Sequence, residues 1–416
     1  MFNENIEVTR LNNGVRVVSE TVTHVQSVSI GIWVGVGSRH EDKPVRGITH
    51  FIEHMLFKGT ERRDARQIAD EIESRGGSLN AFTDKEYTCY YAKALAENAD
   101  IVMDLLTDML RNSKLEPDEL HKERNVVLEE IKRYEDTPDD TVHELFTDTL
   151  WKRHPLGRPV IGQAKSVGSL ERDDLASYIA THYTPERIVV SAAGNISHSE
   201  IVKLTEALLG DLTGEPAKIK TFKAVEPSGD DKLRNKRTEQ MHFCLGTQGY
   251  SQDNDDRYKL TILDMVLGGN MSSRLFQEVR EKRGLAYAIG SYNISYADAG
   301  FFAVYGGTSP DTFEQVVEIS RKEIGKVVKD SLSEDEISKA KTQIKGSLVL
   351  GLESMSARMM RMGKSTLYND RVVPLNEVIE KIYAVDREQI GQIAGELFKE
   401  GRMTLAAIGP LKKTVV

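Results

Sequence analysis

Three ionisable residues, His50, Glu53 and His54, lie within one short segment, Gly47-Ile-Thr-His-Phe-Ile-Glu-His-Met-Leu-Phe. On a helix, positions i, i+3 and i+4 share one face, so these three side chains are expected to converge. Two histidines one turn apart can chelate a Zn²⁺ ion, and a carboxylate between them can take a proton from water that the metal activates. The spacing therefore favours metal-dependent hydrolysis, with Glu53 as the general base.

The surrounding residues predict how this segment is folded. Apolar residues fill the remaining positions, which indicates a largely buried helix over 46–57. Ionisable groups in such a helix cost free energy unless they are paired or bind a metal. The alternative is a helix face with two structural histidines and a salt-bridged glutamate. That alternative stays open until a third metal ligand is identified elsewhere in the chain.

A second predicted helix, 116–134, is the obvious source of the third ligand. Glu123 and Glu130 are seven positions apart and therefore share a face, whereas Glu129 is turned by about 100° from Glu130. Glu130 is the preferred ligand, and Glu123 is expected to orient a ligand histidine through a hydrogen bond. His121 and Glu129 remain alternatives, because helix register alone does not fix distances in space.

The two halves of the chain resemble each other, which indicates a duplication. Four segments recur in the same order roughly 210 residues later, among them the segment that begins at Arg187 and the one that begins at Arg402. A polar stretch with two prolines separates the copies and predicts a linker over 214–236. The N-terminal catalytic domain would then span 1–213, and a homologous non-catalytic domain would span 237–416.

The second copy lacks the ionisable residues of the first. The positions that match the two histidines and three glutamates are, in chain order, Leu260, Leu263, Asp264, Ala340 and Ser347. These side chains do not offer the ligands that zinc requires. Only the first half is predicted to hold the metal.

The pattern of apolar residues predicts the fold class. Segments 26–36 and 78–94 alternate as half-buried strands do, while 64–75 and 97–111 have helical spacing. Strands and helices do not alternate regularly along the chain. An α+β fold, with a mainly antiparallel sheet packed with helices in each half, is therefore favoured over a doubly wound parallel sheet.

Composition excludes several other classes of protein. The chain has 416 residues, of which 39% are hydrophobic and 29% are charged, as is typical of globular proteins. It contains neither a run of about 20 apolar residues for membrane insertion nor a recognisable signal peptide. Two cysteines exclude a disulfide framework, and a net charge of −9 argues against nucleic acid as the main partner. We expect a cytoplasmic protein.

The sequence resembles a known family of peptidases. The segment from Gly47 to Thr60 contains the inverted zinc motif of the inverzincins and is similar to their mitochondrial-processing-peptidase and pitrilysin branch. Similar segments begin at Gly76, His154 and Ser272, so the resemblance covers essentially the whole chain. It implies two homologous domains that form half of a clam-shell peptidase chamber.

The resemblance also implies a chemistry and a set of ligands. It implies a zinc-dependent endopeptidase of the processing-peptidase type, which cleaves extended or unfolded peptides with one Zn²⁺ per chain. The glutamate that completes the zinc site in this branch falls on Glu130, beside His50 and His54. The supporting glutamate of the family falls on Glu123.

Four further positions are carried over from the resemblance as substrate contacts. Asn80 and Ala81 would lie on an edge strand that pairs with an extended peptide. Arg280 and Tyr287, in the second half, would anchor a carbonyl group and assist the developing oxyanion. Longer single-chain relatives build their chamber from four such domains. The resemblance therefore implies a homodimer in which Arg280 and Tyr287 face the zinc of the other subunit.

The competing hypothesis is a catalytically silent binding or scaffold subunit of the same fold. Relatives of that kind usually have damaged metal motifs. Here every motif position is intact, so a peptidase is preferred.

Overall fold

The computed structural model describes residues 4–215, 229–399 and 401–411, so most of the predicted linker lies outside the described residues. The strands are, in chain order, β1 (Ile6–Arg10), β2 (Arg16–Thr21), β3 (Ser27–Val34), β4 (Ser78–Thr83), β5 (Thr88–Leu95), β6 (Ile188–Gly194), β7 (Lys232–Asn235), β8 (Met241–Gly249), β9 (Ala286–Ser295), β10 (Gly300–Thr308) and β11 (Thr404–Gly409). The α-helices are α1 (Ile48–Met55), α2 (Ala65–Glu73), α3 (Ala99–Asn112), α4 (Pro117–Asp136), α5 (Pro138–Leu150), α6 (Ala164–Val167), α7 (Arg172–His182), α8 (His198–Leu209), α9 (Asp256–Leu267), α10 (Phe313–Asp330), α11 (Glu334–Gly351), α12 (Met355–Asn369), α13 (Leu375–Ala384) and α14 (Arg387–Leu397). None of the helices in the described ranges has the length and apolar character that crossing a bilayer demands.

The first compact unit contains the described residues of Met1–Lys132, Pro159–Thr221 and Val349–Pro374. Its sheet has the strand order β1-β2-β6-β3-β5-β4. Neighbouring strands are antiparallel except for the parallel pair β2 and β6. Helices α1 and α3 cover one face of this sheet, and their apolar side chains form the core with those of the strands.

The second compact unit contains the described residues of Arg133–Arg158, Phe222–Leu348 and Leu375–Val416. Its strand order is β7-β11-β8-β10-β9, and only β7 and β11 are parallel. This order and this pattern of directions repeat those of β2-β6-β3-β5-β4 in the first unit. The predicted α+β class, with two copies of a mainly antiparallel sheet packed with helices, is confirmed.

Each compact unit includes one helix from the other half of the sequence. Helix α5 packs on β8 and β11 of the second unit, with Phe146 in its core. Helix α12 packs on β3 and β6 of the first unit, where Met359 and Met362 bury their side chains beside Trp33. The compact units therefore do not follow the contiguous domains predicted over 1–213 and 237–416. Composition locates a linker, but it does not indicate which sheet an apolar helix will cover.

The elements around the motif are close to their predicted positions. Helices α1 to α4 begin and end within two residues of the predicted bounds. The alternating segment 78–94 is not one strand, because it forms the antiparallel hairpin of β4 and β5. Its turn begins at Asp84, whose backbone N–H donates to the Tyr87 carbonyl at 2.8 Å. The Asp84 carboxylate accepts a hydrogen bond from the backbone N–H of Lys85 at 2.6 Å.

A buried ionic network fixes the chain directly after α1. The Asp108 carboxylate of α3 is fully buried and accepts hydrogen bonds from Thr60 Oγ1 at 2.7 Å and from Arg63 at 2.7 Å. The side chains of Arg62 and Asn112 also donate to it. These bonds hold the segment between the motif helix and α2 against the core.

Candidate metal centre

Helix α1 is anchored at its N-terminus by a buried carboxylate. The backbone N–H groups of Gly47 and Thr49 donate to Glu41 at 2.7 and 3.0 Å. A negative charge at this end also complements the helix dipole. Gly47 has a φ of +91°, and a Cβ at this position would lie 2.8 Å from the carbonyl oxygen of Ile161. The sequence therefore needs glycine where the motif helix begins.

The predicted ligands His50, His54 and Glu130 converge on one point. Glu130 Oε2 lies 3.9 Å from His50 Nε2 and 3.6 Å from His54 Nε2. One potential ligand atom from each residue falls within 4.8 Å of the other two. The alternatives do not join this cluster. Glu129 is 72% exposed and pairs with Lys132. His121 is exposed and lies beside Arg124.

The chemistry of these residues fits a zinc ion. Burial, and to a lesser degree the neighbouring His54, lowers the pKa of His50 to about 3, so its imidazole is neutral at physiological pH. Neutral imidazole is the form that ligates metals. His54 Nδ1 lies 3.1 Å from Glu123 Oε2, and because a carboxylate accepts, Nδ1 carries the proton and Nε2 remains free as a ligand. Two imidazole nitrogens and one carboxylate oxygen form a common donor set for catalytic zinc.

Lys58 extends the hydrogen-bonded chain behind His54. Glu123 is 7% exposed, and its Oε1 lies 2.6 Å from the ammonium group of Lys58, while its other oxygen contacts His54. Nothing in the sequence distinguishes Lys58 from other surface lysines, because it lies beyond the last residue of α1, Met55. The contact itself depends on the distance between α1 and α4. Lys58 thus balances the charge of the carboxylate that orients a metal ligand.

Replacing Lys58 with methionine is expected to weaken zinc binding by roughly tenfold, the lower end of the usual effect of losing a group that orients a ligand. Methionine keeps most of the aliphatic stem but leaves the Glu123 carboxylate without its cation. Competition with a chromogenic chelator would measure the dissociation constant. The matched control is Lys122→Met, since Lys122 is 67% exposed and pairs only with Glu119 in the described structure. Equal affinities for the two variants would contradict a role for Lys58.

Glu53 lies beside the cluster without belonging to it. Its Oε2 accepts a hydrogen bond from Thr83 Oγ1 at 2.5 Å. Burial raises the pKa of Glu53, and the negative charge of Glu130 raises it further. The hydrogen bond from Thr83 and the neighbouring His54 lower it, but the pKa stays above its ordinary value. A carboxyl group with a raised pKa can hold a proton between its acceptance and its return, as a general base in hydrolysis must.

Comparison of the sequence with known proteins identifies the family of this chain. Residues 16–164 match the model for insulinase (peptidase family M16), and residues 169–344 match that for the peptidase M16 inactive domain. The chain belongs to peptidase family M16. It is 44% identical over 398 residues to uncharacterized zinc protease YmxG of Bacillus subtilis (strain 168). The aligned residues make up 96% of this chain and 97% of the relative. It is 38% identical over 409 residues to an uncharacterized zinc protease of Rickettsia bellii, with 98% of both chains covered.

Solved structures of the family share the fold. The peptidase M16 inactive domain from Pseudomonas fluorescens superposes with a TM-score of 0.92 and 20% identity, over 98% of both chains. A protease from Helicobacter pylori gives a TM-score of 0.91 and 24% identity, over 98% of this chain and 100% of that one. The family and the names of the sequence relatives together support a zinc metallopeptidase in general terms.

In the second copy, the positions that match the ligands of the first have different contacts. Leu260 and Leu263 are buried in the core of the second unit. The Asp264 carboxylate accepts hydrogen bonds from Ser291 Oγ at 2.5 Å and from Asn293 Nδ2 at 3.0 Å. Burial raises the pKa of Asp264 to about 6. Within the described part of this unit, histidine, cysteine and acidic side chains form no metal-binding cluster.

The four residues carried over as substrate contacts lie in two places. Asn80 and Ala81 are on β4, which pairs only with β5 within the described sheet and is therefore an edge strand. The Asn80 side chain accepts from the Ala81 N–H at 2.8 Å. Arg280 and Tyr287 belong to the second unit, where the guanidinium lies 4.6 Å from the tyrosine ring centre and donates to the Tyr287 carbonyl at 3.0 Å. Tyr287 is 78% exposed.

Proposed function

We propose that this M16 protein is a zinc-dependent endopeptidase of the processing-peptidase type, which cleaves extended or unfolded peptides. The observation that carries this proposal is the convergence of His50, His54 and Glu130 with the carboxyl group of Glu53 beside them. Two imidazoles, one carboxylate and an adjacent base are the components that metal-assisted amide hydrolysis requires.

Each residue of the centre has a proposed task. His50, His54 and Glu130 hold one zinc ion, and Glu123 fixes the tautomer of His54. Bound zinc supplies Lewis-acid chemistry, which lowers the pKa of water and polarises a carbonyl group. Because Thr83 occupies Oε2 of Glu53, Oε1 is the oxygen that accepts the proton of the attacking water. The same carboxyl group then returns a proton to the leaving amine.

The proposed substrate binds as an added strand. An edge strand presents backbone donors and acceptors that an extended peptide can pair with, and a folded protein seldom offers such a segment. Asn80 and Ala81 lie on the free edge of β4 and would contact the peptide backbone. The net charge of −9 favours cationic peptides through long-range attraction.

The proposed assembly is a homodimer with composite active sites. Each family model matches the chain once, and among the described residues the only cluster that could hold a metal lies in the first half. Arg280 and Tyr287 would anchor a substrate carbonyl and assist the developing oxyanion at the zinc of the other subunit. Two-fold symmetry would then provide two equivalent sites.

Removal of the metal tests the proposed activity. The purified protein is expected to contain one zinc ion per chain by mass spectrometry and to cleave a quenched, unfolded peptide. Dialysis against a chelator should abolish cleavage, and stoichiometric zinc should restore it. Cleavage that persists without metal would contradict the proposal. Bound zinc without any cleavage of a varied peptide library would instead support a silent binding subunit.

A further inference from the structure

Thr83, the last residue of β4, faces the motif helix. Side chains alternate between the two faces of a strand. Leu79 and Ala81 pack against the core that includes α1, whereas Phe82 packs on the opposite face with Trp33. Thr83 therefore lies on the same face as Ala81. From there its hydroxyl donates to Glu53 Oε2 at 2.5 Å.

The position of this hydroxyl is set by the strand. Thr83 pairs with Thr88 of β5 through the backbone, and Thr88 is buried. A β-branched side chain has few accessible χ1 rotamers, so the backbone of β4 largely fixes where Oγ1 points. The short turn from Asp84 to Tyr87 closes directly after this residue. Thr83 is thus a rigid donor on the edge strand.

Among the described residues, Thr83 supplies the one hydrogen bond that the Glu53 carboxylate accepts. A glutamate side chain has three rotatable bonds, and its carboxylate can turn unless a partner holds it. The hydroxyl therefore determines which oxygen of Glu53 is presented.

We propose that Thr83 is a positioning residue that holds the general base and couples it to the strand on which the peptide binds. This inference rests on the proposed peptidase function. The hydroxyl occupies Oε2 and directs Oε1 of Glu53 towards the substrate water. Because Thr83 and the contact residues Asn80 and Ala81 share one short strand, the peptide and the base are aligned by the same element.

The test is the isosteric variant Thr83→Val, assayed as the full zinc-loaded protein. We expect kcat to fall by about 10- to 100-fold, since a displacement of about 1 Å in a reacting group can cost a factor of about 100. KM and zinc content should change by less than about twofold, because neither strand pairing nor the ligands are altered. Thr83→Ser keeps the hydroxyl and should recover most of the lost kcat.

Two further variants separate positioning from a general structural role. Thr88→Val removes a buried hydroxyl from the paired strand without touching Glu53, and its kcat should stay within about twofold of wild type. Adding Thr83→Val to Glu53→Gln should cause little further loss, because both changes act through one carboxylate. Melting curves and circular dichroism of each variant establish that the fold is intact.

The outcomes are distinguishable. If wild-type protein shows no zinc-dependent cleavage, the proposed peptidase function fails, and with it this inference. If wild type is active and Thr83→Val loses no more kcat than Thr88→Val, only the role of Thr83 is wrong. Three other results would also contradict the role of Thr83. They are loss of zinc from Thr83→Val, a fall in kcat of Thr83→Ser equal to that of Thr83→Val, and a fully additive loss of kcat in the double variant.

Discussion

Replacing Glu53 with glutamine is expected to reduce kcat/KM by about 100- to 10,000-fold, the usual contribution of a general base, while zinc stays bound. The amide has nearly the shape of the carboxylate and can still accept the hydrogen bond from Thr83. It cannot take a proton from water. Zinc content should be unchanged, because Glu53 supplies none of the three converging ligand atoms.

The assay pairs zinc analysis with cleavage of a quenched peptide under the same conditions. Glu129→Gln is a suitable control, because Glu129 has the same chemistry but is 72% exposed on α4 and pairs with Lys132. Its turnover should equal that of wild type. If Glu53→Gln retains both its zinc and its turnover, the base has been wrongly assigned.

The local part of this centre could be predicted from the sequence. The face shared by His50, Glu53 and His54 follows from helical periodicity, and α1 forms within two residues of its predicted bounds. The seven-residue spacing of Glu123 and Glu130 likewise follows from one helix. The structure places both glutamates towards the histidines, as expected from that shared face.

The contacts between elements could not be predicted in this way. Lys58 reaches Glu123, and Thr83 reaches Glu53, only because α1 lies at a particular distance from α4 and from the end of β4. Each of these residues has an ordinary explanation in the sequence, as a surface lysine or a strand threonine. No periodicity distinguishes them from others of their type.

The exchange of helices shows the same limit at a larger scale. The duplication could be predicted from matched segments, and the repeated strand order bears it out. The structure buries one apolar face of α5 and one of α12. Which sheet each helix covers depends on the path of the chain between the halves. Local patterns of apolar residues contain no such information.

A second prediction tests whether the proposed homodimer forms its active sites between subunits. Arg280 and Tyr287 contact each other through a hydrogen bond and a cation–π interaction, so they should be removed together. The variant Arg280→Ala/Tyr287→Phe keeps its zinc ligands, whereas Glu53→Gln keeps the arginine–tyrosine pair. Each protein alone is expected to be nearly inactive. If the pair acts across the dimer, a mixed dimer contains one site with both an intact base and an intact pair.

After complete subunit exchange of an equimolar mixture, about half of the dimers are mixed and each has one working site, so activity should reach about a quarter of that of wild type. Exchange must be verified independently, for example with two affinity tags or by native mass spectrometry. Unmixed samples taken through the same procedure provide the baseline. Failure to recover activity despite verified exchange would mean that the pair does not act between subunits.

In a reciprocal experiment, subunit exchange should lower the activity instead of restoring it. A chain with all three substitutions, Glu53→Gln, Arg280→Ala and Tyr287→Phe, is mixed with an equal amount of wild type. If sites form between subunits, each mixed dimer combines an intact base with a damaged pair and a damaged base with an intact pair, so it has no working site. Activity should then fall by about half as exchange proceeds. If each chain builds its own site, the wild-type subunit remains active in every mixed dimer, and activity stays constant.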